Sequence, residues 1–278
     1  LKLLTIEDIV STGSVIAKDL KILFKKDREL QVLDIGACTG EDSIIYSNLF
    51  PNATITAFEP LPGNVEVMKQ HLKAYGKEGK VHIESTALSD TEGEFSFYVS
   101  GGSPYGSENV QNTTIIPKEW NKSSSLLRPS HLLEKEFPWL EFKEQTVVKT
   151  KRLDNYLYCH SIANIDFIHM DVQGAELKVL LGLGQKIKNV KVIWLEVENV
   201  ALYENQPLKK DIQSYLSRHN FYKAKDTSKG RVAGDCFYIR GLFPFLRYRL
   251  YKTILLVAKI IPYVWQKFIG KLVKKEPY

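Results

Sequence analysis

The run Asp34-Ile35-Gly36-Ala37-Cys38-Thr39-Gly40 joins a short apolar stretch to a helix-forming one through a glycine-containing bend. Gly36 and Gly40 allow a backbone to approach a ligand closely. Open α/β sheets bind ligands beyond the carboxyl ends of their strands. Glu59 closes the next apolar run, residues 53–58. A carboxylate there can accept hydrogen bonds from both hydroxyls of a ribose, so the bend and the acid read together as a nucleoside site. The dinucleotide fingerprint GxGxxG is absent, because Cys38 stands where its second glycine belongs, and there is no GxxxxGK[ST] phosphate loop. A nucleoside held without a pyrophosphate cradle suggests S-adenosylmethionine. Plainer readings stand beside this one: a tight strand-to-helix connection for the glycines, a turn or capping carboxylate for Asp34, and a solvated turn residue for Glu59 before Pro60.

A second cluster runs from Asp166 to Glu176, DFIHMDVQGAE. Asp171 ends an apolar strand-like run, and His169 lies two residues earlier, on one strand face by the period-2 rule. Either can take a proton from an acceptor hydroxyl. Methyl transfer from a sulfonium is an in-line displacement on an already activated carbon, so the protein's part is to position the acceptor and remove its proton. Asp171 also reads as a helix cap, His169 as a core histidine and Glu176 as a helix-surface residue. Glu196 follows another apolar run and, with Asp171, would be the start of a divalent-cation site. Two carboxylates do not make one, so no metal ligands are assigned.

The elements that must hold these residues follow from hydrophobic period and turn signals. Thr5-Ile6-Glu7-Asp8 reads as a capping box opening a helix that runs to about Leu20. Strands are expected at 31–36, 53–58 and 81–84, with helices at 42–49 and 62–75. That βαβαβ order implies a parallel sheet with right-handed crossovers. A half-exposed strand is expected at 94–99 and another at 146–151. Between them lies an insertion, 100–145, rich in Gly, Ser and Asn over its first part. Tyr105, Asn109, Asn112, Trp120 and Ser123 to Ser125 make it a candidate acceptor lid, or else an exposed loop without a ligand. Regular order returns with a short helix from Leu153, a strand at 165–170, a helix at 175–183, a strand at 191–197 and a helix at 209–219. Two strands near 221–224 and 236–239 close the chain as an antiparallel pair.

The chain of 278 residues is 44% hydrophobic and 25% charged, which excludes general disorder. Three cysteines without CxxC spacing argue against a disulfide framework and fit a reducing, cytoplasmic compartment. No signal-peptide pattern opens the chain, and its start at Leu1 leaves room for an upstream segment. The net charge of +6 is concentrated in residues 241–278, where eight Lys and Arg meet one Glu among eight aromatics. The remainder is near neutral, unlike a nucleic-acid-binding domain. The apolar part of this tail is too short to span a bilayer. It fits an interfacial helix that would hold the protein at the inner face of a membrane, or a helix packed on another subunit such as a second copy. Three parts are expected: residues 1–29 as a helical extension, 30–240 as the main domain and 241–278 as the tail.

These motifs resemble, in order, those of the FkbM-type methyltransferases that use S-adenosylmethionine. The resembling stretches are VLDIGACTGEDS (32–43), AFEPLPGNVEVMKQHL (57–72), ALSDTEGEFSFYVS (87–100), the Ser-rich 123–126, Arg152-Leu153-Asp154, and IDFIHMDVQGAELKVLLGL (165–183). They cover about residues 30 to 240. The resemblance implies a class I methyltransferase fold: a Rossmann-like, mostly parallel sheet with an antiparallel closing hairpin and helices on both faces. It also implies O-methylation, often of a sugar hydroxyl in a glycan or glycolipid. Asp34, Gly36, Gly40 and Glu59 carry over as cofactor residues, joined by Ala37 and Thr39 from the same bend and Ala87 from the third-strand region. Asp171 carries over as a residue near the methyl group. The chain departs from the family pattern at Cys38, His169 and Gln173, where Asn, Lys and Glu are common. Those departures keep a second reading open, a non-catalytic scaffold that retains the fold.

Overall fold

The computed structural model describes residues 6–102 and 121–273, with side chains as far as Val257. Thr5 of the expected capping box and the lid candidates Tyr105, Asn109, Asn112 and Trp120 lie outside the described residues.

Short apolar runs form the centre of a seven-stranded sheet. Strands β1 (Gln31–Ile35), β2 (Thr54–Phe58) and β3 (Val81–Glu84) pair in parallel on one side. Strand β7 (Ile165–Met170) pairs in parallel with β1, and β8 (Val190–Glu198) with β7. Strands β9 (Phe221–Asp226) and β10 (Ala233–Arg240) close the sheet as an antiparallel hairpin, giving the order β3-β2-β1-β7-β8-β10-β9. The sheet is mostly parallel with an antiparallel closing pair, the arrangement the resemblance implies.

Alternation along each strand feeds two apolar layers. Val32, Ile55, Phe167, Val192 and Phe237 face one layer with α3 (Glu41–Leu49) and α4 (Pro62–Ala74). Leu33, Ile168, Ile193 and Tyr238 face the other, with α6 (Leu153–Cys159), α7 (Glu176–Gly182) and α8 (Lys209–Arg218). A smaller sheet stands beyond the strand ends. In it β6 (Leu140–Lys151) pairs antiparallel with β5 (Gly93–Gly102) and in parallel with the short β4 (Ala87–Leu88). A short helix, α5 (His131–Glu136), precedes β6.

Two local expectations are revised. The single opening helix is two, α1 (Ile6–Thr12) and α2 (Ala17–Leu23), because Gly13 takes φ of 72° and ends the first. Strand β6 starts six residues earlier than its apolar part at 146–151, since its first half is an exposed, charged ribbon held by β5. The last region is one 32-residue helix, α9 (Leu242–Val273), and no helix among the described residues is long and apolar enough to cross a membrane.

Candidate functional site

The bend after β1 is built by backbone bonds to its neighbour. The amides of Gly36 and Ala37 both donate to the Phe58 carbonyl at 3.0 Å, and the Asp171 amide donates to the Ile35 carbonyl at 2.9 Å. The ends of β1, β2 and β7 are thereby fixed side by side. Gly36 has φ of 81°, and a Cβ there would lie 1.8 Å from the Asp171 carbonyl oxygen, so the close crossing of β1 and β7 requires glycine. Cys38 also lies in the left-handed region, at φ of 47°. Asn adopts that region more readily than Cys does.

Glu59 reaches into this bend. Its Oε2 accepts from the Cys38 amide at 3.0 Å, and its Oε1 accepts from the Leu61 amide at 2.9 Å and from Asn64 Nδ2 at 3.2 Å. Burial pushes its carboxyl up to about 7 against the pull of those donors. A cleft opens beside it, enclosing about 550 Å³ of space free of protein atoms, mouth included. Gly36, Glu59, Ala87 and Asp171 line it, with apolar walls from Leu88, Phe97 and Leu126. Its apolar walls with a few convergent polar groups are the lining expected of a small-molecule site.

The other residues named from the sequence lie behind the cleft. Ala37 packs in the core; the Thr39 carbonyl bonds His71 Nδ1 at 2.8 Å; Gly40 starts α3 against Met68. Asp34 is buried, accepting from Ser43 Oγ at 2.6 Å and facing His169 Nδ1 at 3.2 Å. His169 shares neither the cleft nor the direction of Asp171. Strand β7 ends at Met170, so the period-2 rule does not extend to Asp171, and His169 points at α3, edge-on to Tyr46. Burial pulls the His169 imidazole down, but the negative charges of Asp42 and Asp34 outweigh it and lift the group to about 9. Asp171 adds to the negative charge around this imidazole, whose Nδ1 faces Asp34.

Asp171 has a different setting. Gln173, at φ of 54°, donates from Nε2 to Asp171 Oδ1 at 2.6 Å and to Glu196 Oε2 at 2.8 Å. Its Oε1 accepts from the Tyr203 hydroxyl at 3.0 Å, and its carbonyl accepts from Ser125 Oγ at 2.7 Å. One residue thus ties the strand-end loop and β8, through its side chain, to the Ser-rich loop, through its carbonyl. Glu176 is fully buried rather than on a helix surface. Its Oε1 accepts from the amides of Val172 at 3.0 Å and Gly174 at 3.3 Å, which shapes the loop that presents Asp171. Burial, then neighbouring acids, raise Glu176 to about 7, Glu198 to about 9 and Glu196 well above the usual carboxylate range. Asp171 alone of these acids lines the cleft. Among the described residues no three His, Cys, Asp or Glu side chains are arranged to hold a metal ion, and Asp171 and Glu196 share the Gln173 amide instead.

The sequence did not single out Asn64, Asn121, Lys122 or Tyr203. Asn64 and Asn121 hydrogen-bond each other at the cleft wall, and the Lys122 ammonium meets Glu41 at 2.8 Å. The Tyr203 hydroxyl also lies 2.8 Å from the Ser123 carbonyl, so its one hydrogen is shared between that oxygen and Gln173 Oε1, and the Ser-rich loop is held beside Asp171.

Comparison with known proteins agrees with this geometry. The chain is 31% identical over 175 residues to the 2-O-methyltransferase NoeI of Sinorhizobium fredii NGR234, covering 63% of this chain and 66% of NoeI. It is 25% identical over 211 residues to the methyltransferase sdnD of Sordaria araneosa, covering 71% of this chain and 76% of that one. The chain thus spans just under two thirds of NoeI. Among solved structures, an rRNA methylase from Streptococcus thermophilus aligns at 10% identity and a TM-score of 0.43, over 81% of this chain and 94% of that one. The model of the methyltransferase FkbM domain matches residues 34–222, from Asp34 of the bend to β9, and the chain belongs to that family.

Proposed function

We propose that the protein transfers a methyl group from S-adenosylmethionine to a hydroxyl of a sugar in a glycan or glycolipid. The observation that carries the cofactor reading is Glu59. A carboxylate aimed into a glycine bend at the mouth of a cleft can accept from vicinal ribose hydroxyls. Gly36 and the Cys38 amide form the adjoining floor, and Ala87, Leu88, Phe97 and Leu126 offer an apolar slot for a purine. When bound, the cofactor supplies a methyl carbon already activated by its sulfonium.

The remaining work falls to this chain. Asp171, fixed by Gln173, accepts the proton of an acceptor hydroxyl presented across the cleft. The Ser-rich loop, bonded to Gln173 and Tyr203, closes one wall and offers hydroxyls for a polyhydroxylated acceptor. The sugar assignment is supported by the likeness to a 2-O-methyltransferase and by this polar wall. A cytoplasmic enzyme held at the inner membrane face would meet lipid-linked sugars.

The test is transfer of labelled methyl groups to extracted glycolipids and polysaccharides, with and without EDTA. Label at a sugar hydroxyl supports the assignment. Cofactor binding with no carbohydrate labelled would overturn the acceptor class, and loss of labelling in EDTA would require a metal ion in the reaction. No binding at millimolar cofactor would favour a scaffold.

A further inference from the structure

Helix α9 leaves the sheet with two unlike faces. On the inner face Phe245 stacks on Tyr222 with centroids 5.4 Å apart, and Tyr248 is buried against Phe237. The Tyr248 hydroxyl and Lys252 Nζ both donate to Asp19 Oδ1 at 2.7 Å. The outer face carries Phe243, Leu246, Leu250, Ile254 and Val257, each between 47% and 84% exposed. With about 3.6 residues per turn, these five form one stripe opposite Phe245, Tyr248 and Lys252, and beyond the body Leu255 and Leu256, 41% and 60% exposed, add apolar surface on the helix's other sides. Arg247 and Arg249 flank it on either side, and the helix contains no acid. The sequence keeps the same spacing at Ile261, Val264, Phe268 and Leu272, and the helix continues to Val273.

An apolar stripe of this length on an exposed helix marks a contact surface. Its period and charge decide what it contacts. Phe243 to Leu272 advances in eight steps at about 3.6 residues each, so the stripe runs straight, whereas a coiled coil needs about 3.5 and supercoils. A straight stripe matches a flat surface. Residues 241–278 hold eight Lys and Arg against one Glu, so pairing this helix with its copy would set strong like charges together. The same charge favours an anionic surface. Lying along a membrane rather than across it agrees with the absence, among the described residues, of a helix apolar enough to cross.

We propose that the outer face of α9 lies in the headgroup layer of an anionic bilayer, with Phe243, Leu246, Leu250, Ile254 and Val257 inserted and Arg247 and Arg249 among the lipid phosphates. The proposal stands apart from the identity of the acceptor, because it is read in lipid binding alone.

The test uses the full chain with vesicles of phosphatidylcholine, alone or mixed with phosphatidylserine. Binding to the mixed vesicles is expected to be at least about tenfold tighter and to weaken as salt is added. Leu250→Glu with Ile254→Glu should abolish it, and Arg247→Glu with Arg249→Glu should reduce it at least about tenfold. Unchanged S-adenosylhomocysteine affinity or an unchanged melting curve shows that each variant is folded. Equal binding to both vesicle types would overturn the proposal, as would full binding by the Leu250→Glu, Ile254→Glu variant. So would absence of vesicle binding, whether the helix then proves to join two copies in sedimentation or to retain RNA.

Discussion

Replacing Glu59 with Ala tests the cofactor site most directly. The carboxylate has about four lone-pair positions, of which the Cys38 amide, the Leu61 amide and Asn64 use three in the unliganded protein. Asn64, at 3.2 Å the longest of the three, is the donor most easily exchanged for a ribose hydroxyl. Two hydroxyl bonds to a charged acceptor at about 1.5–2 kcal/mol each, less the Asn64 bond given up, leave about 1.5–2 kcal/mol, a weakening of roughly 10- to 30-fold in Kd. Glu59→Gln keeps the shape but turns an NH₂ toward either the Cys38 or the Leu61 amide, donor against donor, and is expected to fall between. The ionised acid is the form that accepts from ribose, and its pKa here is about 7. Affinity of the native protein should therefore rise as pH is raised through that value, and the slope should vanish in Glu59→Gln. Calorimetric titration with S-adenosylhomocysteine measures each quantity, with a thermal melt to show folding. A folded Glu59→Ala variant that binds within about threefold of the native protein would refute the ribose assignment and the cleft reading with it.

Other expectations concern the neighbouring groups. His169 is raised from its ordinary 6.5 to about 9, so its charge contributes stability that is complete below about pH 6.5 and is lost as pH rises through about 9. The contribution is at most about 3 kcal/mol. Urea midpoints measured across that window should fall, and should fall less steeply in His169→Gln. Gly36→Ala places a methyl against the Asp171 carbonyl at a positive φ, and should lower the melting temperature sharply or prevent folding. Gln173→Glu removes the hydrogens that Asp171 and Glu196 share and adds a negative charge between them. We expect turnover to drop about tenfold or more with cofactor Kd unchanged, measured by steady-state methyl transfer and by calorimetry.

The central strands were legible in the sequence because burial on both faces leaves uninterrupted apolar runs, as in β1, β2, β7 and β8. In the closing pair only Phe221 of β9 and Cys236 to Ile239 of β10 are buried, and those short pieces were what the sequence showed. The first half of β6 was not, since Glu141, Lys143 and Glu144 are exposed and its pairing with β5 is a long-range fact. The position of Glu59 followed from its place at a strand end, while its three donors did not: two are backbone amides, which carry no sequence signal. His169 misled because alternation along β7 is lost once the chain turns at Asp171. Glu176 misled because a charged residue in a first helical turn is ordinarily solvent-facing; here two amides of the preceding loop compensate its burial. Tyr203 lies 30 residues from its partner Gln173, beyond the reach of local pattern.

Asp19 is almost wholly enclosed and receives Tyr248, Lys252 and Lys225, residues more than two hundred positions downstream. A knot of this kind makes the two ends of the described chain one mechanical unit. Trimming the first thirty residues would strand two lysines and a phenol around nothing, and shearing off the last helix would leave an aspartate under apolar cover with a single distant partner. Damage at either end would therefore register at the other, and α9 would steer the whole body, cleft included, to a set tilt against whatever it rests upon.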